Sequence, residues 1–556
     1  MSVRDASESP PWQQALESGL REALPRLMAE PCEPLIQELI TALTAALCRG
    51  ELHLDLAAAA PEEVSASLWP RGHRQALAAS RLCCAPDAPL VLRGDHLLWR
   101  RWAQRQDAVL AVLQDRALQP AAPPAGIAPQ ALDDLLQGLD SRQKQAVQLG
   151  LERSLVLLFG GPGTGKTSTV ARLLQALRRC HAQARVHLAA PTGKAAARLR
   201  AATGDLAPAT TLHRLLESRG DHFGRNRQRP LALDWLVVDE VSMLDLALME
   251  ALLDALPSDC RLVLVGDPAQ LPPVAPGAVL LALQQPPLAA ALAPVRVELQ
   301  TTYRNDGAIA RVSARLRQLM EAPADAAATD GNGGIAADPL AALRPLLTAL
   351  TPQDNLSWQE LPSGRIPAAV LQRLARHQLR LAQLASRCWP GLEAGWADLL
   401  AERDRLLLLS PIRKGRWGVE TIHQALLPGA SGPQDWPSGT PVLCRRNLPE
   451  LGVANGDIGI LVRRSGAAAS GPGQVDSRVL FGLEQPLWLH PALLAGALEP
   501  ALALTVHKAQ GSEAREVLLL IDGARGVDPR LLYTGLTRAR ERAWLFTAAP
   551  LEPAAG

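Results

Sequence analysis

Apolar and polar positions divide the chain into regions with different periodicity. Residues 1–118 carry apolar side chains at helical spacing, as in PLIQELITALTAALCRG at 34–50. This pattern predicts a mainly helical N-terminal domain. The proline- and alanine-rich stretch at 119–130, QPAAPPAGIAPQ, is typical of a linker between domains.

From about residue 131 the pattern changes to short apolar runs separated by helical stretches. Such alternation is typical of a parallel sheet flanked by helices, so the chain is predicted to be an α/β protein. The first set of runs lies at 154–159, 184–190, 235–240 and 261–267, and the second at 406–411, 501–507, 516–521 and 543–546. We therefore expect one parallel-sheet domain at 131–295 and a second formed by 296–430 and 500–556. The glycine- and proline-rich region 431–499 is expected to be a small β insertion.

Composition narrows the functional classes. The 556 residues have a formal net charge of only +2, so any nucleic acid must be bound in local grooves rather than by bulk charge. The eight cysteines are scattered without a CxxC pair, which argues against a zinc or iron–sulfur site. The N-terminus is polar and no apolar run approaches the length of a membrane span, so we expect a cytoplasmic protein.

The segment FGGPGTGKTSTV follows an apolar run and precedes a helical stretch. This spacing and context predict a phosphate-binding loop rather than an ordinary glycine turn. Lys166 is expected to reach the β- and γ-phosphates of ATP, and the Thr167 hydroxyl to bind Mg²⁺. The nucleotide-binding residues predicted here are Gly160, Gly161, Pro162, Gly163, Thr164, Gly165, Lys166, Thr167 and Ser168.

A second motif, LVVDEVSML, places two acidic residues after an apolar strand. Asp239 is positioned to hold Mg²⁺ through water, and Glu240 to orient and deprotonate the attacking water. These two motifs alone fit a kinase, a GTPase or an AAA+ machine.

Downstream residues favour a motor. Gln270 in LVGDPAQLPPV is a candidate sensor of the γ-phosphate, and Arg538 in YTGLTRAR is a candidate arginine finger. A finger donated by a second domain would couple hydrolysis to the relative movement of two domains.

Nine ordered motifs between 131 and 556 resemble those of superfamily 1 helicases of the 5′→3′ branch, and most closely those of the RecD family. The motifs are DSRQKQAV, GGPGTGKT, AAPTGKAAARL, TLHRLL, VVDEVSM, GDPAQLPPV, TYR, TVHKAQGSE and YTGLTRAR. The resemblance implies two RecA-like P-loop domains with an SH3-like insertion. It also implies that Gln143 recognises adenine, that Tyr303 stacks on the base, that Arg304 and Arg538 contact the γ-phosphate, and that Glu513 approaches the ribose.

The same resemblance suggests a set of residues that contact one DNA strand without reading its sequence. The alternative for each is helix capping or surface charge. The set is Thr192, Lys194, Arg198, Thr211, His213, Thr505, His507 and Gln510. Trp417 is a further aromatic candidate for base stacking, although packing is the more common role of a lone tryptophan.

The resemblance implies an ATP-dependent 5′→3′ DNA helicase subunit of a heterotrimeric helicase–nuclease of the exodeoxyribonuclease V type. Its partners would be double-strand DNA ends, single-stranded DNA, and RecB-like and RecC-like subunits. No carboxylate cluster with nuclease spacing is visible, so the nuclease is expected on another subunit, and 1–118 is expected to dock onto a partner. The alternatives are a stand-alone RecD-like helicase, a docking subunit with a vestigial ATPase, and a P-loop kinase or AAA+ remodelling factor.

Overall fold

A computed structural model gives the fold of most of the chain. It describes residues 11–31, 33–119, 129–220, 222–302, 307–321, 338–362, 365–392, 395–465, 475–482, 485–522 and 527–548. Two residues assigned roles from the sequence, Tyr303 and Arg304, lie outside the described residues, as does most of the linker.

The N-terminal region is mainly helical and also contains a small sheet that the sequence analysis missed. Its elements are α1 (Pro11–Met28), α2 (Pro34–Cys48), β1 (His53–Asp55), α3 (Arg71–Ala79), α4 (Arg81–Cys84), β2 (Leu90–Arg93), β3 (His96–Trp99) and α5 (Arg100–Leu118). The strands pair antiparallel in the order β1–β3–β2. Each has three or four residues, too few for a clear alternation of apolar and polar positions.

The first parallel-sheet domain follows. Its elements are α6 (Pro129–Leu136), α7 (Ser141–Glu152), β4 (Leu155–Gly160), α8 (Lys166–Cys180), β5 (Val186–Ala190), α9 (Gly193–Thr203), β6 (Ala209–Thr211), α10 (Leu212–Leu215), β7 (Ser218–Arg219), β8 (His222–Phe223), β9 (Trp235–Val238), α11 (Leu246–Ala255), β10 (Arg261–Gly266), α12 (Val279–Ala282), α13 (Leu288–Ala291) and β11 (Arg296–Leu299). Six strands pair in parallel in the order β11–β4–β10–β9–β5–β6. Because β11 pairs with β4, this domain extends past the predicted boundary at 295.

Helix α5 also belongs to the core of this first domain, although the sequence assigned it to the N-terminal domain. Val109 and Leu113 are buried in one cluster with residues of β4 and α11. Arg116 donates hydrogen bonds of 2.7 Å to the carbonyl oxygens of Cys260 and Pro257. The predicted boundary at 118 therefore cuts through a packed interface. The helical pattern shows that α5 has an apolar face but does not show what that face packs against.

The second domain is interrupted by the β insertion. Its elements are α14 (Ala308–Glu321), α15 (Pro339–Thr348), β12 (Leu356–Leu361), α16 (Ala368–Ala385), α17 (Trp396–Arg403), β13 (Leu406–Ser410) and α18 (Val419–Leu426), then the insertion strands β14 (Pro441–Cys444), β15 (Ile458–Ser465), β16 (Val475–Gly482), β17 (Pro486–Leu489) and β18 (Leu498–Pro500), and finally β19 (Leu504–Thr505), β20 (Ala514–Ile521), α19 (Pro529–Leu536) and β21 (Ala539–Ala548).

Sheet pairing confirms the predicted fold class. The second domain has a parallel sheet in the order β12–β21–β20–β13–β19, and the insertion is an antiparallel sheet in the order β17–β16–β15–β14–β18. Trp417 is buried in the second domain, and its indole N–H donates to the carbonyl oxygen of Arg365, so it is a packing residue. Among the described helices, none has the length and apolarity needed to cross a bilayer.

Candidate nucleotide site between the two domains

The phosphate loop connects the end of β4 to the start of α8. Strand β4 is buried along its whole length, and α8 begins at Lys166. Gly163 and Gly165 have φ angles of +74° and +83°, a backbone conformation that glycine adopts without steric cost. The Thr164 hydroxyl closes the loop by donating to the carbonyl oxygen of Gly161 at 2.8 Å. The loop therefore places the N-terminus of a helix, which favours anions, beside the end of β4.

Lys166 occupies the mouth of this loop. Its ammonium group donates to the carbonyl oxygens of Gly160 at 2.7 Å and Gly161 at 2.9 Å. Burial lowers the pKa of Lys166, while the carboxylates of Asp267 and Glu240 act in the opposite direction. A phosphate group would offer this ammonium stronger, charged acceptors than the two carbonyls.

Asp239 and Glu240 face the loop from the end of β9. The Asp239 carboxylate accepts a 2.8 Å hydrogen bond from the backbone N–H of Glu240. Burial and the adjacent Glu240 carboxylate raise the pKa of Asp239 to about 6. Glu240 has a left-handed backbone with φ +56°, a strained conformation for a residue with a side chain, and such strain is concentrated at functional sites.

Arg198 lies in this site and links the two domains. Its guanidinium donates to Glu240 at 2.7 Å and forms a 3.0 Å ion pair with Glu513 of the second domain. The sequence analysis assigned Arg198 to DNA, but both branches of its guanidinium are bound to carboxylates, so we place it in the nucleotide site. Glu513, expected near the ribose, also accepts a 2.9 Å hydrogen bond from Arg540.

Arg538 approaches the same carboxylate from the second domain. Its side chain is buried and donates to the carbonyl oxygens of Thr534 at 3.2 Å and Ser512 at 3.4 Å. Burial alone would raise the pKa of Glu240, but the charges of Arg198, Arg538 and Lys166 lower it. Lys166 and Arg538 thus act on one carboxylate from opposite domains and face a common site.

Gln270 follows β10 and faces the second domain. Its amide nitrogen donates to the Asp267 carboxylate at 3.3 Å, and its buried amide oxygen has no hydrogen-bond partner among the described residues. The next residue, Leu271, accepts a 2.8 Å hydrogen bond from Gln510 and donates one of 2.9 Å to the Thr534 hydroxyl. The loop that carries Gln270 is therefore hydrogen-bonded to the second domain through both the N–H and the carbonyl group of Leu271.

Asp267 has two further partners that the sequence analysis did not select. Arg317 on α14 forms a 2.9 Å ion pair with it, and the Tyr533 hydroxyl donates to it at 2.8 Å. Tyr533 is the first residue of the quoted motif YTGLTRAR and could have been selected from it. Arg317 stands in no motif.

Gln143 lies at the start of α7. It forms a reciprocal capping box with Asp140, in which its side-chain oxygen accepts from the Asp140 N–H at 3.2 Å. Within the described residues its amide nitrogen donates no hydrogen bond, so that N–H₂ group is the part available to an adenine base.

The residues proposed to contact DNA fall into three groups. The hydroxyls of Thr192 and Thr211 cap α9 and α10, and that of Thr505 accepts from the N–H of Lys508 at 3.3 Å. Burial lowers the pKa of His213 and of His507. The remaining members of the set are bound to protein groups across the domain boundary: Lys194, Arg198 and Gln510.

Lys194 and Arg198 line a cavity of about 210 Å³ between α9, the second domain and the insertion. Lys194 forms a 3.5 Å ion pair with Asp404. Burial lowers the pKa of Lys194 to about 8, although Asp404 opposes the shift. Helix α9 therefore contacts the second domain at Lys194 and the Glu240 carboxylate one turn later at Arg198.

Comparison with known proteins agrees with this geometry. A family model described as an AAA domain matches residues 143–276, and one described as a UvrD-like helicase C-terminal domain matches residues 500–546. A protein of Mycolicibacterium smegmatis named RecBCD enzyme subunit RecD is 33% identical over 555 residues, covering 93% of this chain and 90% of that protein. The protein of the same name from Mycobacterium tuberculosis is 34% identical, covering 84% and 79%. The ATP-dependent RecD2 DNA helicase of Deinococcus radiodurans is 32% identical, covering 74% of this chain and 51% of that protein.

Proposed function

This chain belongs to the RecD family, and from that premise we propose that it is an ATP-driven 5′→3′ DNA helicase subunit of a RecBCD-like complex. In this proposal the chain unwinds double-strand ends in recombinational repair, and the nuclease belongs to another subunit. The observation that carries the proposal is that Arg198 contacts both Glu240 of the first domain and Glu513 of the second, while the charges of Lys166 and Arg538 also act on Glu240.

The proposed catalytic roles follow from these positions. Glu240, kept ionised by three cations, accepts a proton from the attacking water. Arg538 stabilises the charge that develops on the terminal phosphate, as an arginine finger does. Gln270 orients the attacking water through its amide oxygen, which has no partner in the part of the chain that the structure describes.

Thr167 and Asp239 have the donor chemistry for Mg²⁺, which prefers oxygen ligands and retains several waters. The buried Asp239 carboxylate lies beside a second carboxylate, an arrangement that a divalent cation would stabilise. When bound, Mg²⁺ would neutralise charge on the phosphates. The contribution of the chain is to hold the two oxygen ligands at the mouth of the phosphate loop.

We propose that changes at the nucleotide site are transmitted to DNA by elements on both sides of the domain boundary. Helix α9 carries Thr192 and Lys194 at its start and Arg198 against Glu240. On the other side, Thr505 and His507 precede Gln510, which is bound to the Gln270 loop. Opening and closing of the nucleotide site would therefore move both sets of candidate DNA contacts.

The proposal is tested by ATPase and strand-displacement assays on the full chain, alone and with its partner subunits. We expect single-stranded DNA to stimulate ATP hydrolysis, and duplexes with a 5′ overhang to be unwound in preference to those with a 3′ overhang. Lys166→Gln should abolish both activities. Absence of ATP-dependent unwinding in both settings, or equal activity of Lys166→Gln, would contradict the proposal.

Docking onto RecB-like and RecC-like partners is proposed for the N-terminal region. Helix α1 exposes Trp12, Leu16 and Leu27, with 62%, 42% and 77% of each residue accessible. Because α5 packs into the first domain, deletion of 1–118 would expose core residues and is a poor test. Trp12→Glu with Leu16→Glu should instead release the chain from its partners in co-purification, whereas Ser18→Glu on the same helix should not.

A stand-alone RecD2-like helicase is the second candidate, favoured by the 32% identity to the Deinococcus protein. The chain spans only about half of that relative but 90% and 79% of the two RecD subunits. Migration of the native chain as a monomer in cell lysate would support this candidate over the complex.

A further inference from the structure

Arg317 reaches the phosphate loop from the second domain. A Cβ atom added to Gly161 would lie 2.7 Å from its Nη2 atom and 3.1 Å from the Tyr533 hydroxyl oxygen. Only a residue without a side chain permits this approach. The guanidinium of Arg317 therefore lies directly against the backbone where the loop begins.

Two partners hold the guanidinium there. Nη2 donates to Asp267 at 2.9 Å, and both Nη2 and Nε donate to the Tyr533 hydroxyl, at 2.6 and 3.0 Å. The hydroxyl donates in turn to the other oxygen of Asp267. This arrangement fixes one edge of the guanidinium, and within the described residues the Nη1 atom donates no hydrogen bond.

Two cations, Lys166 and Arg317, meet at the loop beside the carboxylates of Asp267, Glu240 and Asp239. The ammonium of Lys166 lies near enough for the Arg317 charge to act on it, and Asp267 is a buried carboxylate close to both cations. Two cations that converge on a helix N-terminus form a site for a multiply charged phosphate.

We propose that Arg317 donates from Nη1 to the terminal phosphate of bound ATP, with Asp267 and Tyr533 holding the guanidinium in place. The inference rests on the proposed ATP site and adds a second-domain ligand for the phosphate that hydrolysis removes. ADP lacks that phosphate, so Arg317 makes the closed arrangement of the two domains specific for ATP.

The experiment measures the affinity of the full-length chain, with oligo(dT) present, for a fluorescent non-hydrolysable ATP analogue and for fluorescent ADP. Arg317→Gln should weaken binding of the ATP analogue about 10-fold or more, because a charge-assisted hydrogen bond is lost, and leave ADP binding nearly unchanged. Arg315→Gln is the matched control: Arg315 lies on the same helix, is exposed, and within the described part of the chain donates a hydrogen bond to Gln318 alone. Equal weakening of both nucleotides by Arg317→Gln would overturn the inference.

Two further variants separate phosphate binding from a role as the counter-ion of Asp267. Arg317→Lys preserves the charge beside Asp267 but lacks the second edge of the guanidinium, so it should lose the preference for the ATP analogue. The double variant Arg317→Gln with Asp267→Asn also removes the carboxylate that the single variant would leave without its ion pair. Recovery of the wild-type preference in that variant, or its retention in Arg317→Lys, would show that Arg317 is only a counter-ion.

The wild-type chain reports on the underlying proposal. If it binds neither nucleotide, the ATP site itself is wrong. If it prefers the ATP analogue and Arg317→Gln retains that preference, only the assignment of Arg317 fails.

Discussion

The two parallel-sheet domains contribute to the nucleotide site in different ways. The first contributes a continuous backbone loop, from Gly160 to Ser168 after β4, and two adjacent carboxylates after β9, which is separated from β4 by β10. The second contributes separate side chains from distant segments of the chain, Arg317, Glu513 and Arg538. In our proposal the first domain therefore supplies most of the contacts that ADP also makes, whereas binding and hydrolysis of the terminal phosphate of ATP depend on both domains.

This difference predicts distinct kinetic effects. Loss of Arg538 should lower the rate of hydrolysis more than it lowers the affinity for nucleotide, because the phosphate loop remains intact, whereas loss of Arg317 should weaken binding of ATP but not of ADP. The predictions below test that separation, beginning with the largest expected effect.

Arg538→Ala should lower the kcat for ATP hydrolysis about 10³-fold or more, the range found for loss of an arginine finger. Nucleotide affinity should change much less, because Lys166 and the loop are untouched. DNA-stimulated ATPase assays and equilibrium nucleotide binding measure the two quantities. Arg515→Ala is the control, since Arg515 is an exposed arginine of the same domain paired with Glu541. A parallel loss of affinity would place Arg538 in nucleotide binding rather than hydrolysis.

Leu113→Ala tests whether α5 is part of the first domain. Its fully buried side chain packs in the core beneath β4, so truncation should lower the free energy of unfolding by about 2–5 kcal/mol. Thermal or denaturant unfolding of the full chain measures this change. Val112→Ala, a partly exposed neighbour on the same helix, should have a small effect. Equal effects of the two substitutions would contradict the observed packing.

Arg198→Gln distinguishes the structural assignment from the one made on the sequence. Because Arg198 holds Glu240 and Glu513, its loss should lower kcat about 10- to 100-fold, as loss of a charged group at an active site does. Affinity for single-stranded DNA without nucleotide should remain within about 2-fold, as it does when no charged contact is lost. Arg200→Gln is the control, since Arg200 lies on the same helix, is half-buried and is paired with Asp205. Weakened DNA binding with unchanged kcat would restore the original assignment.

The sequence predicted the parts of the site that lie close together along the chain. Lys166 and Glu240 were predicted because each lies in a short motif that contains both a turn and the functional side chain. Arg198 was selected as a DNA contact, but its two carboxylate partners could not be predicted, since they lie 42 and 315 residues away along the chain. The sequence did not predict a role for Arg317, because the residues beside it along the chain do not indicate that it contacts Gly161 or Asp267. Helix α5 was recognised as a helix, but only tertiary packing shows which domain it completes.

The smallest predicted effect concerns the hydroxyl of Tyr533, which joins the two domains at Asp267. Tyr533→Phe retains the ring, 5.2 Å from the Arg317 guanidinium, and removes the hydrogen bonds to Arg317 and Asp267. A hydrogen bond of this kind contributes about 0.5–1.5 kcal/mol, so kcat/KM for ATP should fall about 2- to 10-fold. A double-mutant cycle with Asp267→Asn, measured by DNA-stimulated ATPase, should show that the two losses are not additive. Additive losses would mean that the hydroxyl and the carboxylate act separately, and that the second domain reads the terminal phosphate without the connection between Asp267 and Tyr533.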